Sequence, residues 1–304
     1  MNPEEVKKES AAESREKLKN NLGLVLCTRQ KNGQRLLVKD QAEMAEQINL
    51  ASVQFDFRGQ TEEQISAGWD ALLKLRVEHP QMNISIHGET PKFDEETLEI
   101  KNKERVSAEL KAAELLGVTE YTVHPLPIGQ KLFDSLPAET KDKLINNYCK
   151  TLGESVVEMI AIGKTIPLSI ENMSGEGVDG LYGQKVEELV LLLEKIKAYL
   201  IGRGLSADEV EKNLGITFDI NHALHNIPAE DYEKVLRPWF ENLKDKIKVI
   251  HLYAPSAVNP DYQNKYKLVL DLASEFSPQA KLFLESKQSP EVTNAIFTET
   301  KKID

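Results

Sequence analysis

The chain has 304 residues, 40% hydrophobic and 29% charged, which fits a globular protein with one large α/β domain or two ordinary ones. A formal net charge of −11 argues against a generic nucleic-acid surface, since a phosphate backbone needs a basic face. Two distant cysteines, Cys27 and Cys149, give no disulfide framework and read as buried thiols, and no apolar run approaches the ~20 residues of a membrane span.

In chain order, residues 1–20 predict an exposed helix or arm with a solvated Glu/Lys face, ahead of a domain over residues 21–304. This segment lacks the apolar core of a signal peptide, so a cytoplasmic location is the default. Asn21–Thr28 predicts the first buried strand, and Gln41–Asn49 a helix. Ser52–Arg58 predicts the second strand, with Phe55 and Phe57 on one face and Gln54, Asp56 and Arg58 on the other. An amphipathic helix over Thr61–Glu78 leads to a third strand at Asn83–His87. A long helix from about Glu95 to Leu116 is expected to stop at Gly117, before a fourth strand at Tyr121–His124. Pro137–Ile162 predicts the next helix, ended by Gly163.

The fifth strand, Ile166–Glu171, runs into a loop containing Gly175, Gly177, Gly180 and Gly183. Such glycines let a ligand approach the backbone, although flexible loops share the feature. Helices are expected over Gln184–Leu200 and over Ser206–Asn213, where Ser206 and Glu209 form a capping box. Strands at Ile216–Ile220, Ile247–Leu252 and Lys281–Glu285 alternate with helices at Pro228–Asn242, Asn264–Phe276 and Pro290–Phe297. Eight strands alternating with helices, over a length near the ~250 residues typical of the class, predict a single-domain (β/α)₈ TIM barrel. An open doubly wound sheet would place its ligand at one switch point.

Six of these strands end in His, Asp or Glu opposite an apolar face. Side chains alternate along a strand, so His87 shares a face with Ser85, His124 with Thr122, Glu171 with Ser169, and Asp219 with Thr217. His251 lies in phase with Val249, and Glu285 opposes Leu282 and Leu284. His222 follows Asp219 by three residues. A buried carboxylate is expensive unless it is paired or bound to a metal. Mixed His and carboxylate sets suit Zn²⁺, Mn²⁺, Co²⁺ or Fe²⁺, and carboxylates with water suit Mg²⁺. Glu171, Asp219, His251 and Glu285 are expected to hold one divalent ion, and His87 and His124 to join Glu171 around a second. His222 would orient substrate, ligate an ion or donate a hydrogen bond. Alone, each of these residues also fits an ordinary core histidine or half of an ion pair, and it is their convergence on one end of a barrel that favours a site. His79 and His225 fall off the strand phase and read as surface or packing residues.

The chain resembles the xylose isomerase-like barrel superfamily, which holds sugar and sugar-phosphate isomerases and epimerases together with endonuclease IV-type enzymes (AP endonuclease family 2). NISIHGE, AAELLGVTEYTVHP, SIENMSGEGVDGLYG, GITFDINHAL, IKVIHLY and LFLES carry the resemblance, which covers nearly the whole chain after about residue 21. It implies a catalytic metal held by Glu171, Asp219, His251 and Glu285, with the two glutamates also moving protons. In the endonuclease branch, Glu171-Asn172 through Gly177 matches a Glu-Asn-x-x-Gly-x-Gly segment, and His87 and His124 match extra zinc ligands. No Asp-Arg-His follows His251 to complete a third zinc site with His222, and no arginine stands where some epimerases use one for substrate.

The leading expectation is therefore a divalent-metal-dependent isomerase or epimerase of a sugar or sugar phosphate. Its expected catalytic residues are Glu171, Glu285 and His222, and its expected substrate contacts are Asn172, His222 and Arg58. A two-metal phosphoester hydrolase and a non-catalytic ligand-binding barrel are the alternatives. No nucleic-acid or membrane partner is expected, and a homo-oligomer is left open.

Overall fold

The computed structural model describes residues 3–26, 36–48, 50–94, 96–161, 167–174, 180–286 and 288–303. The strands are β1 (Gly23–Val25), β2 (Ser52–Asp56), β3 (Asn83–His87), β4 (Glu120–Val123), β5 (Leu168–Glu171), β6 (Leu214–Asp219), β7 (Ile247–Tyr253) and β8 (Lys281–Glu285). They are ordered β1 to β8 in a closed barrel, the expected (β/α)₈ arrangement. The helices are α1 (Pro3–Asn20), α2 (Val38–Ile48), α3 (Glu62–Glu78), α4 (Lys103–Leu115), α5 (Gln130–Ser135) and α6 (Ala138–Ala161), then α7 (Val186–Gly202), α8 (Ala207–Asn213), α9 (Ile220–Ala223), α10 (Tyr232–Leu243), α11 (Pro260–Phe276) and α12 (Pro290–Thr300). No helix among the described residues is long and apolar enough to cross a membrane.

The chain divides into two compact units: a terminal unit of Met1–Asp56, Gln60–Asn83 and Asn226–Asp304, and a central unit of Phe57–Gly59 and Ile84–His225. In the terminal unit β1 pairs in parallel with β2 and β8, and β8 with β7. Val25, Val249 and Phe283 form a fully buried apolar cluster. Gly23 makes room for it, since a Cβ there would lie 2.5 Å from the Phe283 ring. Thr61 caps α3 with the reciprocal bonds of a capping box to Gln64. The charged N-terminal segment forms α1, whose Leu18 is buried and whose Arg15 pairs with Asp271 of α11 at 2.7 Å.

In the central unit β3, β4, β5 and β6 pair in parallel, in that order. Ile84, Ile86, Tyr121, Val123, Leu168, Ile170, Ile216 and Phe218 are fully buried on one face. The opposite face carries Ser85, His87, Thr122, Ser169, Glu171, Thr217 and Asp219, at most 2% exposed. Thr122 and Thr217 hydroxyls lie 2.8 Å apart although β4 and β6 are not neighbours, so this face points into the barrel, where alternate strands meet in layers. Ser169 donates a short hydrogen bond to the buried Glu120.

Local differences from the sequence reading have identifiable causes. Helix α4 starts at Lys103, not near residue 95. Asp94 Oδ1 accepts from the Glu96 and Thr97 amides at 3.0 and 2.9 Å, and Phe93 bridges Ile100, so this stretch closes a turn instead of a helix. Gly117 ends α4 at φ +61°, as expected of a C-terminal glycine. Helix α5 was not foreseen. Helix α11 starts four residues early, at Pro260, because Asn259 accepts from the Asp261 and Tyr262 amides. Ser206 and Glu209 do form the capping box of α8. Cys27, Thr28, Asn49, Glu95, Ile162, Gly163, Ile166, Gly175, Glu176 and Gly177 lie outside the described residues. Cys149 is a buried free thiol, its pKa pushed up to about 12 by that burial.

Candidate metal and catalytic site

The polar face of the central unit ends in a cluster of imidazoles and carboxylates. His87, the last residue of β3, places Nε2 2.7 Å from Glu171 Oε2 at the end of β5. His124, just past β4, places Nε2 3.0 Å from the same oxygen. The two rings meet edge to face with centroids 4.8 Å apart. One ligand atom from each of the three residues lies within 4.8 Å of the others, a set that suits a divalent cation. The outer nitrogens have partners of the kind that fix ligating histidines: His87 Nδ1 lies 3.4 Å from Gly88 O, and His124 Nδ1 3.1 Å from Thr90 Oγ1. Tyr148 of α6 donates to the His124 carbonyl at 2.8 Å, holding the end of β4.

Burial, followed by the nearby Arg58 charge, lowers the His87 pKa to about 4 against the pull of Glu171. Burial also lowers that of His124. Both rings are therefore neutral near pH 7, the form that ligates metals. Arg58 brings Nη1 to 2.9 Å from His124 Nε2. Nε2 of His124 thus faces two partners, the Arg58 guanidinium, which only donates, and Glu171 Oε2 at 3.0 Å, which accepts.

The second cluster centres on Asp219, the last residue of β6 and the N-cap of α9. Its Oδ1 accepts from the Asn221 and His222 amides at 2.7 and 2.9 Å, which places His222 beside it. Asn172 donates from Nδ2 to the Asp219 carbonyl at 2.9 Å and accepts from the Asp219 amide at 2.6 Å. His222 Nδ1 donates to the Asn172 carbonyl at 2.7 Å, so its Nε2, 3.6 Å from Asp219 Oδ2, carries the lone pair. In the terminal unit, His251 Nδ1 lies 3.7 Å from Glu285 Oε1. His251 is fully buried.

No family model and no curated protein sequence matches the chain. Solved structures do. An L-ribulose 3-epimerase aligns over 92% of each chain with a TM-score of 0.60 and 11% identity. The chain shares the (β/α)₈ barrel fold of that structure. A xylose isomerase domain protein from Alicyclobacillus acidocaldarius aligns over 93% of this chain and 98% of its own, with a TM-score of 0.56 and 10% identity. D-psicose 3-epimerase with D-tagatose, from Clostridium cellulolyticum, aligns over 93% of this chain and 96% of its own, with a TM-score of 0.56 and 9% identity.

In the central unit the structure gathers Arg58, His87, His124 and Glu171 into one cluster and Asn172, Asp219 and His222 into another. His79 caps α3, donating its amide to Leu75 O. The sequence reading missed the support of the first cluster. Glu89 accepts from the Gly59 amide at 3.3 Å and pairs with Arg105 at 2.8 Å, while Glu109 accepts from the Glu89 amide and from Tyr121 OH. This buried acidic pair ties residues 57–59, which carry Arg58, to residues 88–90, which carry Thr90. The available signal was Gly88-Glu89-Thr90 directly after a strand-end histidine.

Proposed function

We propose that the protein is a divalent-metal-dependent isomerase or epimerase of a sugar or sugar phosphate. The reading is carried by strand-end donors: Glu171 and Asp219 close β5 and β6 in the central unit, and His251 and Glu285 lie on β7 and β8 in the terminal unit. Three carboxylates and an imidazole of this kind match the donor chemistry of Mn²⁺, Co²⁺, Zn²⁺ or Mg²⁺. A divalent ion bound there supplies a Lewis acid that draws charge off a carbonyl oxygen and its neighbouring hydroxyl. Two structural neighbours, an L-ribulose 3-epimerase and a D-psicose 3-epimerase, are consistent with sugar chemistry on this fold.

Glu171 and Glu285 are assigned the proton transfers, one removing a proton from the carbon beside the carbonyl and the other returning it. His222 offers Nε2 to a substrate hydroxyl. Asn172 acts by holding Asp219, because both ends of its amide are bonded to that residue's backbone. Arg58 faces the same cluster through His124. A second reading, phosphoester hydrolysis by two ions, draws on the convergence of His87, His124 and Glu171.

A panel of ketoses, aldoses and their phosphates, assayed with each of the four metals, tests the proposal. Interconversion of at least one member, abolished by chelator, is expected. No turnover with any metal, or chelator-sensitive phosphoester cleavage in its place, contradicts it.

A further inference from the structure

The cluster of His87, His124 and Glu171 has the ligands of a cation site, yet a cationic side chain already addresses it. Arg58 Nη1 lies 2.9 Å from His124 Nε2 in hydrogen-bond geometry. Nε2 is the nitrogen that would ligate an ion, because Nδ1 is turned to Thr90 at 3.1 Å, and it is the nitrogen that faces Arg58. One nitrogen lone pair serves one of these partners at a time. Nor is the guanidinium readily displaced by losing its proton, since arginine stays charged in proteins. Its backbone is pinned next door, where the Gly59 amide donates to the buried Glu89. His87 Nε2 meanwhile lies 2.7 Å from Glu171 Oε2, the oxygen that also faces His124 Nε2 at 3.0 Å.

We infer that Arg58 is the built-in second cation of this site: its guanidinium holds the position beside His124 that a second divalent ion would need. The inference rests on the proposed function for the first ion. It deepens that reading, because a protein that takes up one ion cannot run a two-ion displacement.

The test is the metal count of the full chain loaded with Zn²⁺, freed of excess by gel filtration and measured by elemental analysis. The unchanged protein should retain one equivalent. Arg58→Met, which keeps bulk and removes charge, should retain one more than the unchanged protein, and the added equivalent should vanish in the Arg58→Met/His124→Gln double variant. Loading with Co²⁺ provides a spectroscopic check, since the added ion should bring new visible absorption in Arg58→Met that the double variant lacks. Two equivalents in the unchanged protein, no gain in Arg58→Met, or a gain that survives the loss of His124 would overturn the inference. If Arg58→Met does not fold, His124→Gln in the otherwise unchanged protein decides: an unaltered count supports the inference, and the loss of one equivalent refutes it. Sugar turnover tests the proposed function separately, so either can fail alone.

Discussion

In the terminal unit, Val25, Val249 and Phe283 close together as a fully buried apolar cluster. In the central unit the barrel-facing positions are Ser85, Thr122, Ser169 and Thr217, equally buried but polar. The first arrangement gains stability by removing apolar surface from water, at roughly 25 cal/mol per Å². The second must pair each hydroxyl. Thr122 pairs with Thr217 and Ser169 with Glu120, whereas Ser85 Oγ has no partner among the described residues. A row of this kind contributes little to stability for its burial. It lies directly beneath His87, His124, Glu171 and Asp219. The central row thus supports charged groups at a stability disadvantage, as functional sites commonly do.

The largest expected effect on this contrast comes from Phe283→Ala. It should destabilise the protein by about 3–5 kcal/mol in denaturant unfolding, as deletions of buried rings do. A cost below ~1 kcal/mol would mean that the apolar cluster is not what holds the terminal unit together.

Next in size is a pH effect confined to the central unit. The folded pKa of His87, about 4, lies below the ordinary value of 6.5, so the unfolded chain binds that proton more readily. Chelator-treated protein should keep this contribution above about pH 6.5 and lose it as pH falls toward 4, on the order of 3 kcal/mol if fully realised. His87→Gln should flatten the stability profile across that window. An unchanged slope would mean that His87 does not titrate there.

Smaller still, Thr122→Val should cost about 1–3 kcal/mol by stranding the Thr217 hydroxyl, and adding Thr217→Val should recover most of it. Strict additivity in that double-mutant cycle would show that the two hydroxyls do not depend on each other.

The same contrast explains what could be seen in the sequence. Strands β3 to β8 were legible because polar and apolar residues alternate along them, as in Asn83–His87, and that alternation also marked the strand-end ligands. Where structure depended on local side-chain bonding, legibility failed. Asp94 diverts the chain into a turn where helical pattern alone continued, and α5, six residues long, is too short to show a period. The approach of Arg58 to His124 spans 66 residues and depends on Glu89 fixing the backbone at Gly59, which no spacing rule conveys. The placement of Asn172 against Asp219 likewise became visible only once β5 and β6 were paired.

The most direct test of the central claim is deuterium uptake in D₂O with Mn²⁺ or Co²⁺ and any ketose the protein turns over. Carboxylate proton transfer predicts deuterium on the carbon beside the carbonyl in the unchanged protein. Glu285→Gln should still bind the sugar and should lose that exchange by about 10²–10⁴-fold. Interconversion without deuterium uptake, or full exchange in Glu285→Gln, would contradict the assignment of Glu171 and Glu285 as the acid and base.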